Sequence, residues 1–190
     1  MVERAGALEP TGPGSQGRPA DLYGALVRSI VGQQLSVLAA RSIFGRLTER
    51  FGGRTPTPEE VLADDPEELR AACGLSRGKV SFLRSLAEHA LSGELELDRL
   101  TDLPDDEVIA ELVAVKGIGV WTAHMFLIFT LARPDVLAWG DLGVRRAAER
   151  LYELPVIPDA AELERLAEPW RPYRSAACRY LWWSLDNAPE

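Results

Sequence analysis

Val120 to Leu131 is almost continuously apolar, and a tight Lys116-Gly117-Ile118-Gly119 turn stands directly before it. The run is long enough for a buried helix and too short to cross a bilayer. Glu107 to Val113 has the apolar spacing of a helix that ends at the turn. The two helices must therefore be joined by a very tight hairpin. Glycine permits positive φ there and leaves no side chain to hold another backbone away. The N–H groups of Gly117, Gly119 and Val120 then point outward at a helix start, where orphan donors and the dipole favour an anion. Such a hairpin suits a nucleic-acid phosphate, with Lys116 beside it; an ordinary αα-turn with Gly at a helix end is the alternative.

Downstream lies Trp139-Gly140-Asp141-Leu142-Gly143-Val144-Arg145-Arg146. Asp141 is a good N-cap for a helix continuing through Arg145, Ala148 and Leu151, which can be its whole role. Taken together, Lys116-Gly-Ile-Gly-x-Trp-Thr-Ala, the apolar helix and the following Asp resemble the helix-hairpin-helix DNA glycosylases, most of all those of the 3-methyladenine DNA glycosylase II type. The resemblance extends upstream to Ile30-Val31-Gly32-Gln33-Gln34-Leu35-Ser36. Downstream it takes in Trp170-Arg171-Pro172-Tyr173-Arg174-Ser175 and Trp182, so it covers roughly residues 20 to 187 in order.

The chain has 190 residues, 46% hydrophobic and 26% charged, which suits one domain or two closely packed lobes. No secretory h-region is visible, and a cytoplasmic, nucleoid-associated monomer is expected. Cys73 and Cys178 are far apart and form no metal motif. No iron–sulfur cluster of the four-cysteine kind found in some relatives is therefore expected. The net charge of −8 argues against nonspecific coating of DNA. Phosphate contacts need only a local basic face, however. Acids gather in Glu59–Glu68, Glu94–Asp98 and Asp102–Glu111, whereas Arg77, Lys79, Lys116, Arg145, Arg146, Arg171 and Arg174 lie in or near the motif segments.

Residues 1–18, rich in Gly and Pro, read as a flexible leader. They leave no room for the β-rich domain that larger relatives carry in front. Asp21 caps a helix burying Leu22, Ala25, Leu26 and Ile30, and Ser36 starts another with Val37, Ala40, Ile43, Phe44 and Leu47 inside. Thr57-Pro58-Glu59-Glu60 and Asp65-Pro66-Glu67-Glu68 open two short helices. Ser76 to Leu91 is amphipathic through Val80, Leu83, Leu86 and Ala87. Further helices cover Asp159–Glu168 and Tyr173–Asn187, and no long strand pattern occurs. The fold class is all-α, with the glycosylase unit at 19–187. Its first lobe spans about 36–131, its second 19–35 plus 132–187, and the active site lies in the cleft between them.

The resemblance implies roles. Damaged double-stranded DNA is the partner, and the target base is extruded into a pocket. Trp121 and Trp182 fall at the positions of pocket aromatics, and Trp139 can add a wall. Met125 falls where relatives can carry Tyr. Gln34 takes the place of the wedge that fills the hole left by the base, with Leu35 able to share the task; an interhelical turn with surface glutamines is the alternative. Arg77 and Lys79 lie where the family approaches DNA, or are solvated charges. Carbonyls of Val113, Val115 and Ile118 would hold a structural Na+ or K+; no other cofactor is required. Asp141 is the single catalytic carboxylate, with Asp135 its nearest competitor. Trp121 stands where bifunctional relatives keep a Schiff-base lysine, so the activity is monofunctional removal of alkylated bases such as 3-methyladenine and 7-methylguanine, leaving an abasic site. A non-catalytic helix-hairpin-helix DNA-binding protein is the alternative. His124, three residues beyond Trp121, is either a core or surface histidine or an acid for neutral bases; His89 has no metal-ligand companion.

Overall fold

The computed structural model describes residues 6–12, 14, 15 and 19–187, and among them every regular element is helical, as the sequence predicts. Side chains that the sequence marks as caps start most of these helices. In α1 (Leu22–Gly32) the Asp21 carboxylate accepts from the Gly24 N–H at 2.6 Å. Ser36 caps α2 (Val37–Arg50), and Thr57 and Glu60 form a reciprocal capping box on α3 (Pro58–Ala63). Asp65 accepts from two amides of α4 (Pro66–Cys73), which ends on Gly74 at φ +74°. Ser76 caps α5 (Arg77–Ser92). A 3-10 turn at Leu97–Thr101 follows, then α6 (Asp105–Ala114) and α7 (Val120–Phe129). Beyond them come α8 (Leu142–Leu151), α9 (Ala160–Ala167), a 3-10 turn at Glu168–Trp170 and α10 (Arg174–Asp186).

The chain divides into two compact units, Pro13–Phe126 and Met1–Gly12 with Leu127–Glu190. The first is built on α5, whose Val80, Leu83, Leu86 and Ala87 are buried and which packs against α1, α3 and α4. This corrects the expected lobes. The N-terminal helix packs on α2 and α5, inside the first unit, and the division falls after Phe126 rather than after Leu131. The reason lies in α1, where Tyr23, Val27 and Val31 are buried beside the anticipated Ala25, Leu26 and Ile30. So broad an apolar face needs more than one neighbour. The α2 stripe is also narrower than expected. Leu47 is buried and Ala40, Ile43 and Phe44 are half-buried, but Val37 and Leu38 are three-quarters exposed.

In the second unit α8 packs on α10. The described part of the leader is tied down there. Tyr180 donates to the Gly6 carbonyl, Arg179 to that of Glu9, and Gly12 donates to Phe129 at 3.0 Å. Residues 1–5, 13 and 16–18 of the expected leader lie outside the described residues. The loop leading to α8 is pinned to the start of α10. Ser175 Oγ donates to the Arg133 carbonyl at 2.6 Å and accepts from the Val136 N–H at 2.9 Å. Arg174 grips Asp135 through two side-chain bonds, at 2.7 and 3.0 Å, and Arg171 adds a third at 3.0 Å.

Burial opposes charge on Asp135, but the bonds from Arg174 and the nearby guanidinium charges outweigh it and hold the carboxyl below the usual carboxylate range. Stability from such a depressed group is complete above the unfolded carboxylate range and is lost as pH falls through the folded value. Asp135→Asn should therefore cost more than the ~0–1 kcal/mol of a surface pair, because Arg174 keeps only 17% exposure. It should also flatten the acid side of the stability curve. Urea unfolding midpoints across about pH 3 to 7 measure both, and an unchanged acid slope contradicts the pairing.

Candidate active site and nucleic-acid interface

The first unit carries the hairpin. The Ile118 N–H donates to the Val115 carbonyl at 3.0 Å, closing the turn, and Gly117 sits at φ +88°. A Cβ on Gly117 would lie only 2.2 to 2.5 Å from ring atoms of Phe82, so this glycine is required twice, by its φ and by the ring against it. Gly119 differs. It has no positive φ, and a Cβ there would meet nothing within 4 Å. The N–H groups of Gly117, Gly119 and Val120 find no acceptor among the described residues. Three donors thus gather at the N-terminus of α7, where the dipole also favours negative charge.

Lys116 is exposed, donating from Nζ to Ser81 Oγ at 3.1 Å, while its N–H donates to Ser85 Oγ. Beside it a cavity of about 450 Å³ is lined by Arg70, Arg77, Arg84, Ser81, Ser85, Glu67 and Glu88. Arg77 is 83% exposed and touches Glu67 at 3.3 Å. Lys79, expected as a phosphate contact or a solvated charge, is half-buried. Its ammonium turns back onto the Val31 carbonyl at 2.7 Å, in the last turn of α1, and burial lowers its pKa. The long stem lets Lys79 serve the C-terminal carbonyls of a neighbouring helix, a role that sequence spacing does not report.

The turn after α1 is closed by the Leu35 N–H on the Gly32 carbonyl at 3.3 Å. Gln34 occupies it at φ +57°, a left-handed conformation costing a non-glycine residue about 1–2 kcal/mol. Glycine would remove that cost, so the observed strain favours a use for the exposed side chain. Leu35 is 38% exposed next to it. Gln33, which carried no role in the sequence reading, bridges turn and hairpin by donating to the Gly117 carbonyl at 2.9 Å. On α7, Trp121 is 45% exposed and Met125 half-buried one turn on, while Thr122, Ala123 and His124 are buried. Burial lowers the His124 pKa and keeps the ring neutral, as suits a core histidine. His89 is half-buried, with Nδ1 at 2.8 Å from the Ser85 carbonyl.

The second unit carries the carboxylate. Asp141 caps α8, and its Oδ1 accepts from the Val144 N–H and from the Trp182 indole N–H, each at 2.8 Å. The indole is stacked on Phe129, with ring centroids 5.7 Å apart and 25° between planes. A Cβ on Gly143 would stand 3.0 Å from Asp141 Oδ1 and 3.2 Å from Trp182 Cδ1. Gly143 and Phe129 were missed in the sequence, although a glycine two residues after a capping Asp is a legible sign of close approach. Trp139 is 37% exposed. Asp135 is engaged by Arg174 and Arg171 and serves as an anchor. Arg145 is likewise used internally, on the Pro158 carbonyl at 2.7 Å. Among the described residues no group of three or more His, Cys, Asp or Glu is placed to hold a metal, and no helix is long and apolar enough to cross a membrane.

Residues 27–172 match the HhH-GPD superfamily of base excision DNA repair proteins. The chain is 41% identical over 165 residues to DNA-3-methyladenine glycosylase 1 of Schizosaccharomyces pombe, spanning 84% of this chain and 71% of that protein. Its fold is similar to that of the 3-methyladenine DNA glycosylase of Schizosaccharomyces pombe in complex with abasic DNA, with a TM-score of 0.86 and 36% identity over 98% of this chain and 90% of that one. It is also similar to a DNA-3-methyladenine glycosidase from Bacillus halodurans, with a TM-score of 0.83 and 39% identity over 96% of this chain and 81% of the other.

The two hairpin glycines should respond differently to substitution. Gly117→Ala must take a left-handed φ and displace the Phe82 ring, which should cost about 1–3 kcal/mol or more. Gly119→Ala should stay within ~0.5 kcal/mol of the parent. Thermal unfolding of both variants checks this, and equal losses would contradict the geometry.

Proposed function

The chain belongs to the HhH-GPD superfamily of base excision DNA repair proteins, and on that premise we propose that it is a monofunctional DNA glycosylase. It extrudes alkylated bases of the 3-methyladenine and 7-methylguanine type from damaged duplex DNA and hydrolyses their N-glycosidic bonds, acting as a monomer. The observation that carries this reading is the Asp141 carboxylate, held through Oδ1 by a helix amide and an indole N–H. A phosphate clamp alone has no use for such a group.

N-glycosidic cleavage passes through an oxocarbenium-like sugar, by analogy with glycoside hydrolysis. One carboxylate can stabilise that cation or orient the attacking water, provided it is preorganised. An alkylated purine leaves as a neutral base from a cationic state, so no general acid is needed. The neutral, buried His124 is in keeping with this. Faces of Trp121 and Trp182 suit a cationic base, at roughly 0.5–2 kcal/mol each. Gln34, with Leu35 beside it, is assigned as the wedge, and the amides of Gly117, Gly119 and Val120, with Lys116 and Arg77, as the phosphate site. Neutral carbonyls of Val113, Val115 and Ile118 would suit a monovalent cation, which would add positive charge near that phosphate. Val113 lies in the last turn of α6, where carbonyls lack helical partners, while Val115 already accepts one N–H.

Asp141→Asn retains an acceptor for both N–H donors and so should fold and bind DNA, yet lose at least about 10²-fold in base release. The assay is release of 7-methylguanine from methylated duplex DNA, and retention of more than about a tenth of the rate would remove Asp141 from the chemistry. Monofunctionality has its own test. The only lysines are Lys79 and Lys116, bonded to Val31 and Ser81, so the protein should make abasic sites without nicking. A protein–DNA adduct trapped with borohydride would refute this.

A further inference from the structure

We propose that Trp182 is a positioning residue for Asp141, acting through its indole N–H, and that Gly143 is kept free of a side chain so that the indole can reach the carboxylate. The proposal rests on the reading of Asp141 as the catalytic carboxylate. It gives Trp182 a task different from stacking against the extruded base.

One donor on Oδ1, the Val144 amide, is what any capping Asp receives. With that donor alone the carboxylate can still rock about its Cβ–Cγ bond. The second donor arrives from a different helix, α10, also at 2.8 Å. Two donors from separate elements on one oxygen fix the plane of the group and hence the direction of Oδ2. An indole is donor only, so it can engage nothing here but an acceptor, and a bond to a carboxylate is of the stronger, charge-assisted kind. The ring is oriented by the Phe129 stack. That stack also covers one indole face, leaving at most the other for a base. The space is reserved as well, because a Cβ at position 143 would come within 3.0 Å of Oδ1 and 3.4 Å of Nε1. An electrostatic catalyst acts through a charge whose place is set before the reaction, which is what these contacts provide.

Trp182→Phe keeps an aromatic ring and removes the N–H. In the 7-methylguanine release assay kcat should fall on the order of 10²-fold, the scale of small misplacements, while KM changes little. Gly143→Ala retains the tryptophan but displaces it and should give the same pattern, with the double variant no worse than the stronger single. A loss mainly in KM would make Trp182 only a pocket wall and overturn the proposal. A second readout needs no DNA. The Nε1–H resonance of Trp182, identified by its disappearance in Trp182→Phe, should move in Asp141→Asn, whose side chain accepts without a charge. An unmoved resonance, where the wild-type protein releases base, overturns this proposal alone, whereas a wild-type protein that releases no base overturns the proposed function together with it.

Discussion

The loop that carries Asp141 depends on one face of α10. Ser175, Cys178 and Trp182 recur at i, i+3 and i+7, a spacing that lines them along the helix. Ser175 fastens the main chain at Arg133 and Val136, Arg174 grips Asp135, and Trp182 meets Asp141. The loop from Arg133 to Asp141 contains no regular structure, and left alone it would place a carboxylate poorly. It is fastened to the helix at its start by two residues and at its end by a third. The Trp170–Ser175 segment thereby gains a physical meaning, since its arginines and serine hold the loop that delivers Asp141.

The hairpin in the other unit follows the same logic by different means. Its shape is set by Phe82 lying over Gly117 and by Gln33 on the Gly117 carbonyl. With the backbone held in this way, its outward N–H groups form a donor set that needs no net positive charge. A chain of net charge −8 can in this way still offer a site for an anion. Many of its cations are committed internally. Arg50 and Arg54 pair with Asp64 and Glu60, Arg84 donates to carbonyls at the end of α3, and Lys79 to that of Val31. The charged side chains near the hairpin include Lys116 and Arg77, and the outward main-chain dipoles add to the positive potential there.

Helix starts were legible in the sequence because a cap is a local event. Asp21, Ser36, Thr57, Asp65, Ser76, Asp141 and Asp159 all act within three residues of themselves. Tertiary choices were not legible. Which unit α1 joins depends on the width of its apolar face, and the Val37 side chain is exposed although its position in the helical pattern suggested burial. The described part of the leader is held through its own main-chain carbonyls and amides, which every sequence has and no pattern advertises. At the site, residue types pointed to Asp141 and to the hairpin, whereas the donor on Asp141 became visible only once α8 and α10 were packed.

These constraints converge on the kind of base that can leave. A neutral purine departs readily only when an acid protonates it, and the imidazole closest in sequence to the Trp121 face is buried with its charged form disfavoured. Asp141 Oδ1 is held in place as an acceptor by the Val144 N–H and the Trp182 indole N–H. Trp182 spends its N–H on that carboxylate and one face on Phe129. On the proposed function, a chain without a ready acid for the leaving base relies on the lesion to supply its own activation, and an alkylated base that already carries positive charge does so.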